Sequence, residues 1–388
     1  MAFGVIPSAE AIERSKAGFE IDRSLAVFDG GMLVGTAGAI STELTLPGLT
    51  TLPVAAVAFV SVSPTHRRRG FLRRMMSRQL EDIRDRGESL AILHASESSI
   101  YGRFGYGMAT ENVSLAIQTA HAQFARAVEY PGAVRLADHE EARSILPKVF
   151  DAARLQQPGA IRHLEAWWEA QFDLPEAERT GAKSRFFAVA RSSTGEAEAY
   201  ATYGVKLDWH GSVPDNSIDV RRVIASNDLA RAALWDFLLR LDLAGAVRLE
   251  CAPADEPLRW WLADSRRLRQ EHRWDGLWVR IVDVCTALSS RAYAVPGALV
   301  LEVQDSFRPQ SSGRFYLEGS PDGASCRPTT RRPDLVMRVE DLGSIYLGGH
   351  LASTLARAGR IREETQGALH RANAMFMCDR LPWCPTTF

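Results

Sequence analysis

Long apolar runs, paired cysteines, lysines and net charge are all scarce in this 388-residue chain. The longest apolar stretch, Leu52 to Val62, is about half of what a helix needs to cross a bilayer, so no membrane span is expected. The five cysteines (Cys251, Cys285, Cys326, Cys378, Cys384) are odd in number, widely spaced and free of CxxC pairs. Neither a metal site nor a disulfide framework is therefore expected. The opening MAFGVIPSAEAIERSK lacks a basic start followed by an apolar core, which argues against a secretory leader and for a cytoplasmic protein. Basic and acidic residues number 46 and 47, and their near-cancellation to −1 excludes a nucleic-acid binder that relies on bulk charge. Only four of the basic residues are lysines, a bias that reads as GC-rich coding rather than functional demand. What remains is ordinary globular material, 46% hydrophobic and 24% charged, long enough for two or three domains.

Short β runs alternate with helical segments in the first third. Ser24–Phe28, Met32–Ser41 and Val54–Val62 read as strands, separated by Asp29-Gly30-Gly31 and the Pro47-Gly48 turn. Phe71 to Arg86 carries apolar residues at 71, 72, 75, 76, 80 and 83, the spacing of one buried helix face. Ser89–His94 reads as another strand, and a short helix begins at Ser96. Strand, helix, strand is a βαβ unit, so the expected class is α/β. Pro131–Leu136 reads as a linker into a second unit, with helical runs at Glu140–Leu155 and Arg162–Phe172 before strands between Ser184 and Ile224. A helix at Asp228–Leu243 and a strand at Ala246–Cys251 complete it. A third pattern follows Trp278: strands between Leu277 and Arg338, then a helix over Asp341–Arg357 with Asp341 as its N-cap.

The chemistry concentrates in Phe59–Arg74, FVSVSPTHRRRGFLRR. A buried strand ends at a proline, a basic loop and a glycine follow, and then a helix begins. Backbone N–H groups at a helix start, with the positive end of the dipole, make an anion site. Gly70 lets the backbone approach a phosphate, and Arg67, Arg68 and Arg69 supply charge-assisted contacts, so a pyrophosphate is one expected guest. A solvated basic helix start accounts for the same residues equally well. A second segment, Leu90 to Gly107 (LAILHASESSIYGRFGYG), tips the balance. With its strand splayed from the preceding one, Val60–Val62 would offer unpaired backbone groups to a pantetheine arm. Tyr101 would lie near a thioester sulfur, protonated and able to donate to a leaving thiolate. For Tyr101 alone, a half-buried packing role is the commoner fate.

Together the two segments resemble the GNAT acetyltransferase superfamily. Arg67-Arg68-Arg69-Gly70 fits its R/Q-x-x-G-x-G/A acyl-CoA loop, and Tyr101-Gly102-Arg103-Phe104-Gly105-Tyr106 fits its later Y-x-x-x-G-F/Y motif. Leu72 departs from the small residue that many members carry. With DGLWVRIVDV and DLGSIYLGGHLASTLA, these segments are similar to the enhanced intracellular survival (Eis) acetyltransferases of actinobacteria, from about residue 25 to the C-terminal residue.

The resemblance implies an α/β (α+β) protein of three parts. These are a GNAT domain over residues 1–118, a second GNAT-like domain without a CoA loop over 119–276, and a sterol-carrier-like domain over 277–388 whose end returns to the active site. It implies a homo-oligomer, a hexamer, that acetylates primary amines on polyamine, aminoglycoside-like or lysine-containing acceptors from acetyl-CoA, with no metal. Carried over by position, Val60, Ser61 and Val62 meet acetyl-CoA, and Arg68, Arg69, Gly70, Phe71, Leu72 and Arg73 meet its pyrophosphate. Ser96 and Glu97 flank the thioester end, Tyr101 is the general acid, and the α-carboxylate of Phe388 is the base. Two departures bear on the acceptor side: the chain begins about one helix late for a GNAT domain, and Thr387 stands where relatives place an acid. A lipid or small-molecule carrier acting through the third domain is the competing reading, disfavoured because a carrier needs neither the basic loop nor Tyr101.

Overall fold

Leu90–His94 is apolar almost throughout, as a strand covered on both faces must be. In the computed structural model it lies inside a six-stranded sheet. The structure describes Ile12, Lys16 and residues 18–172, 184–210 and 212–388. Apart from Ile12 and Lys16, the stretch that argued against a secretory leader lies outside them. No helix among the described residues is long and apolar enough to cross a membrane. The chain forms two compact units, one of residues up to Thr110 with Gln157–Leu164 and Asp275–Phe388, the other of Glu111–Gln156 and Glu165–Trp274.

The first unit holds β1 (Ser24–Asp29), β2 (Met32–Thr45), β3 (Thr51–Val62), β4 (Leu90–His94) and β5 (Tyr106–Met108). Only β3 and β4 run parallel in their sheet, and helix α1 (Phe71–Asp85) makes the crossover between them. α1 buries Met76, Leu80 and Ile83 against Ala55, Val57, Ala91 and Leu93, the face predicted from its spacing. The strand Leu277–Ile281, which opens the third segment in sequence, lies between β4 and β5 and pairs Trp278 with both Leu93 and Met108. Its side chains are buried on both faces, so periodicity could not reveal which sheet it joins.

A second sheet of this unit orders Gly323–Pro328, Gly313–Ser320, Gly297–Gln304, Leu335–Arg338 and Ile361–Glu363. The helix expected over Asp341–Arg357 is two helices, α2 (Val339–Tyr346) and Ala352–Arg357, because Gly348 turns left-handed at φ 85°. Asp341 is not the N-cap; it sits one turn in, and its carboxylate accepts the Arg338 backbone N–H at 3.2 Å. α2 lies against β5 and Leu277–Ile281 at glycine contacts. A Cβ on Gly343 would stand 2.4 Å from the Val279 carbonyl oxygen, and one on Gly107 would collide with the Glu340 carbonyl. Alanine normally favours a helix interior over glycine by about 1 kcal/mol. Here Gly343→Ala is expected to destabilise instead, by about 1–3 kcal/mol through overpacking. A thermal midpoint that stays or rises would show that the helix is not clamped there.

The second unit is a seven-stranded sheet in the order Arg269–Asp275, Glu111–Gln118, Ala244–Pro253, Asn216–Ala225, Ala197–Lys206, Arg185–Arg191, Ala133–Ala137. Its parallel pair is joined through helix Asp228–Leu239, whose Leu234, Trp235 and Leu238 fill the core. Two sequence expectations change. The proposed linker contains the edge strand Ala133–Ala137, which pairs with Arg185–Arg191; five residues after Pro131-Gly132 are too short to show a period. The helix expected from Arg162 begins only at Glu165. Residues 157–164 instead extend β2, with Gly159 N–H donating to Thr45 O (2.8 Å) and Arg162 N–H to Glu43 O (2.9 Å).

Candidate active site

The parallel rungs between β3 and β4 stop at Ala55–Ala91 and Ala56–Ile92. Beyond them Val57–Val62 remains paired only with β2, so its other backbone edge opens toward the end of β4. A bulge marks the opening. Phe59 adopts φ 56°, and the β2 register shifts between Thr36–Ser61 and Gly38–Ala58. An extra residue reverses the alternation of side chains, so that Val60 follows Val57 onto the α1 face. Thr36 secures the bulge, its hydroxyl donating to Phe59 O at 2.8 Å and lying 2.9 Å from Ser61 Oγ.

The basic loop follows. His66 is buried, 3.3 Å from the Asp29 carboxylate, and Arg69 reaches the same oxygen at 3.2 Å. Arg68 and Gly70 are both left-handed, at φ 64° and 81°. For Arg68 that conformation costs about 1–2 kcal/mol, so strain is held in the loop. The first turn of α1 (Phe71, Leu72, Arg73) has no acidic residue and no side-chain cap. Its outward N–H groups and dipole suit an anion. The matching helix of the second unit contrasts with it. There Asn227 caps the start, accepting from Ala230 N–H at 2.8 Å, and Asp228 brings a negative charge into the first turn. The chain itself satisfies what a phosphate would need.

Tyr101 ends the short helix Ser98–Tyr101 and packs with Met76, Leu80, Leu93 and Trp278, while Val60 and Leu72 border the same cluster. Burial pushes its hydroxyl above the usual pKa of 10.0. Glu97 precedes that helix in extended conformation, and Ser96 and Glu97 are exposed just beyond the end of β4.

On the opposite face of β4 lies a residue that sequence reasoning passed over. His94 Nε2–H donates to the Thr386 carbonyl at 2.9 Å, and the rings of His94 and Phe388 stand 4.9 Å apart. Burial holds the imidazole below its ordinary value of 6.5, against hydrogen bonds to the Thr386 and Gly276 backbone and the Asp275 charge. The chain end is packed rather than frayed: Trp383, Cys384 and Thr386 are buried. Residues 157–163 hold it. Trp383 N–H donates to Pro158 O at 2.9 Å, Gln157 donates to Leu381 O at 2.8 Å, and His163 lies 3.4 Å from Thr386 Oγ1. The signals were a polar residue closing an apolar strand and a Pro158-Gly159 break between the two expected helices.

Three family models match in series: acetyltransferase (GNAT) domains over residues 1–109 and 159–281, and a sterol carrier protein domain over 284–385. A Streptomyces avermitilis N-acetyltransferase is 39% identical over 99% of this chain and 94% of its own. The N-acetyltransferase Eis of Mycobacterium tuberculosis is 36% identical over 90% of this chain and 84% of its own. The crystal structure of Eis1 from Mycobacterium abscessus superposes with a TM-score of 0.88 at 33% identity, covering 100% of this chain and 94% of that one. With an open strand pair, a bare helix start and a buried tyrosine in place, the chain belongs to the Eis-like GNAT N-acetyltransferases of actinobacteria, two GNAT domains followed by a sterol-carrier-like domain.

Proposed function

We propose that this acetyltransferase moves the acetyl group of acetyl-CoA, the donor that GNAT enzymes use, directly to a primary amine of a small polyamine, aminoglycoside-like or lysine-containing acceptor. The observation that carries the reading is the meeting of His94 and the Thr386–Phe388 tail at the open end of β4. In this reading the pantetheine arm pairs along Val60, Ser61 and Val62, and the pyrophosphate lies on Arg68, Arg69 and Gly70 and on the first turn through Phe71, Leu72 and Arg73. Ser96 and Glu97 flank the thioester. An amine with a pKa near 10 arrives protonated and loses that proton to the Phe388 carboxylate before it attacks the carbonyl carbon. The tetrahedral intermediate collapses, the C–S bond breaks, Tyr101 protonates the departing thiolate, and the second proton released by the acetylated nitrogen restores the phenol. His94, neutral at pH 7, orients the tail through its Nε2–H. The family resemblance further supports a homo-oligomer, a hexamer.

A panel of polyamines, aminoglycosides and lysine peptides, assayed for CoA release, tests the function; release with none of them removes amine acetylation as the activity. The donor half has its own test. Replacing Arg68 and Arg69 together with Ala is expected to weaken acetyl-CoA binding strongly, since two charge-assisted contacts of roughly 1.5–3 kcal/mol each are lost. The fold should persist, because the Arg69–Asp29 pair is solvent-exposed and such pairs contribute about 1 kcal/mol at most. Unchanged affinity in a titration would move the pyrophosphate elsewhere.

A further inference from the structure

We propose that Phe307, in the sterol-carrier-like part of the chain, is a positioning residue for the acyl-CoA site, holding the Arg73 guanidinium in place for a phosphate of the donor. The inference rests on the reading of the α1 start as the pyrophosphate site.

The Arg73 guanidinium carbon lies 5.0 Å over the centroid of the Phe307 ring. An arginine in the first turn of a helix faces the positive end of the dipole and has many rotamers to lose, so it does not hold a position unaided. Among the described residues Arg73 meets no carboxylate. A carboxylate would occupy its N–H groups, whereas a phenyl ring offers no oxygen or nitrogen acceptor to compete for them. Held over the ring, Arg73 keeps N–H groups for charge-assisted contact with a phosphate.

Phe307 is itself fixed. Its ring stands edge-on to Phe104 at 5.0 Å, and Phe104 belongs to the cluster that holds Tyr101. The turn that carries Phe307 is built on the Asp305 carboxylate, which accepts the backbone N–H groups of Phe307 (3.1 Å) and Arg308 (2.9 Å) and the buried Arg280 guanidinium (2.5 Å). Arg308, only 4% exposed, reaches back to the Leu80 carbonyl of α1 at 3.4 Å. The turn therefore brackets α1 at two levels, through Arg73 in the first turn and Leu80 farther along.

A double-mutant cycle read by acetyl-CoA titration tests the inference. Arg73→Ala should weaken binding about tenfold or more. Phe307→Leu, which keeps apolar bulk but no ring face, should weaken it about three- to fivefold. The double variant should bind no more weakly than Arg73→Ala alone, because the ring acts only through the guanidinium. Phe307→Tyr should restore wild-type affinity, and in Phe307→Leu the KM for acetyl-CoA should rise while kcat at saturation holds. If Phe307→Leu fails to fold, Phe307→Met replaces it in the cycle. Additive losses, or wild-type affinity in the ring-less variant, overturn the role of Phe307. Wild-type affinity in Arg73→Ala overturns instead the pyrophosphate site on which the inference stands.

Discussion

A peptide tag appended after Phe388 is expected to lower acetyl transfer by about 10²-fold or more, the contribution of a positioned general base. The tag converts the α-carboxylate into a neutral amide that accepts no proton at any working pH. The loss should be specific. The tail is held by main-chain bonds at Trp383, Leu381 and Thr386 that a distal extension does not remove, so acetyl-CoA affinity and oligomeric state should match those of a protein tagged at Met1. The hold on the chain end also depends on pH. Because the folded pKa of His94 lies below the ordinary 6.5, the unfolded chain takes up the proton first as pH falls, and this contribution, complete above 6.5, is lost below it. Equal rates for the two tagged proteins would return Phe388 to a packing role.

Tyr101→Phe is expected to reduce turnover by about 10²–10⁴-fold with little change in acetyl-CoA binding. The ring is 7% exposed and packs in the α1 cluster, so phenylalanine preserves the fit while removing the proton donor. No other hydrogen bond is broken, since the hydroxyl has no partner among the described residues. A phenol held above its usual pKa stays protonated through the range in which amines become nucleophilic, so its proton is in place when the thiolate departs. A drop in turnover of less than about threefold would place the donor elsewhere.

The sequence by itself determined the parts whose signals are local. The α1 face was written in the spacing of Met75, Met76, Leu80 and Ile83, and the basic loop in four consecutive residues before it. The superfamily could be read from two motifs, and the narrower family once DGLWVRIVDV and DLGSIYLGGHLASTLA joined them, because each is a short contiguous run. Only the tertiary structure decided the rest. Leu277–Ile281 is buried on both faces, so nothing in its composition says that it inserts between β4 and β5. His94 was one histidine closing an apolar strand until residues from 157–163 and 383–388 were folded against the same end of the sheet. Arg73 and Phe307 are separated by more than half the chain, and their cation–π contact follows from a turn built on Asp305, not from any repeat. Periodicity and propensity act over a few residues, whereas a side chain's partner across hundreds of residues is set by which strand enters which sheet, and that is a property of the packed core alone.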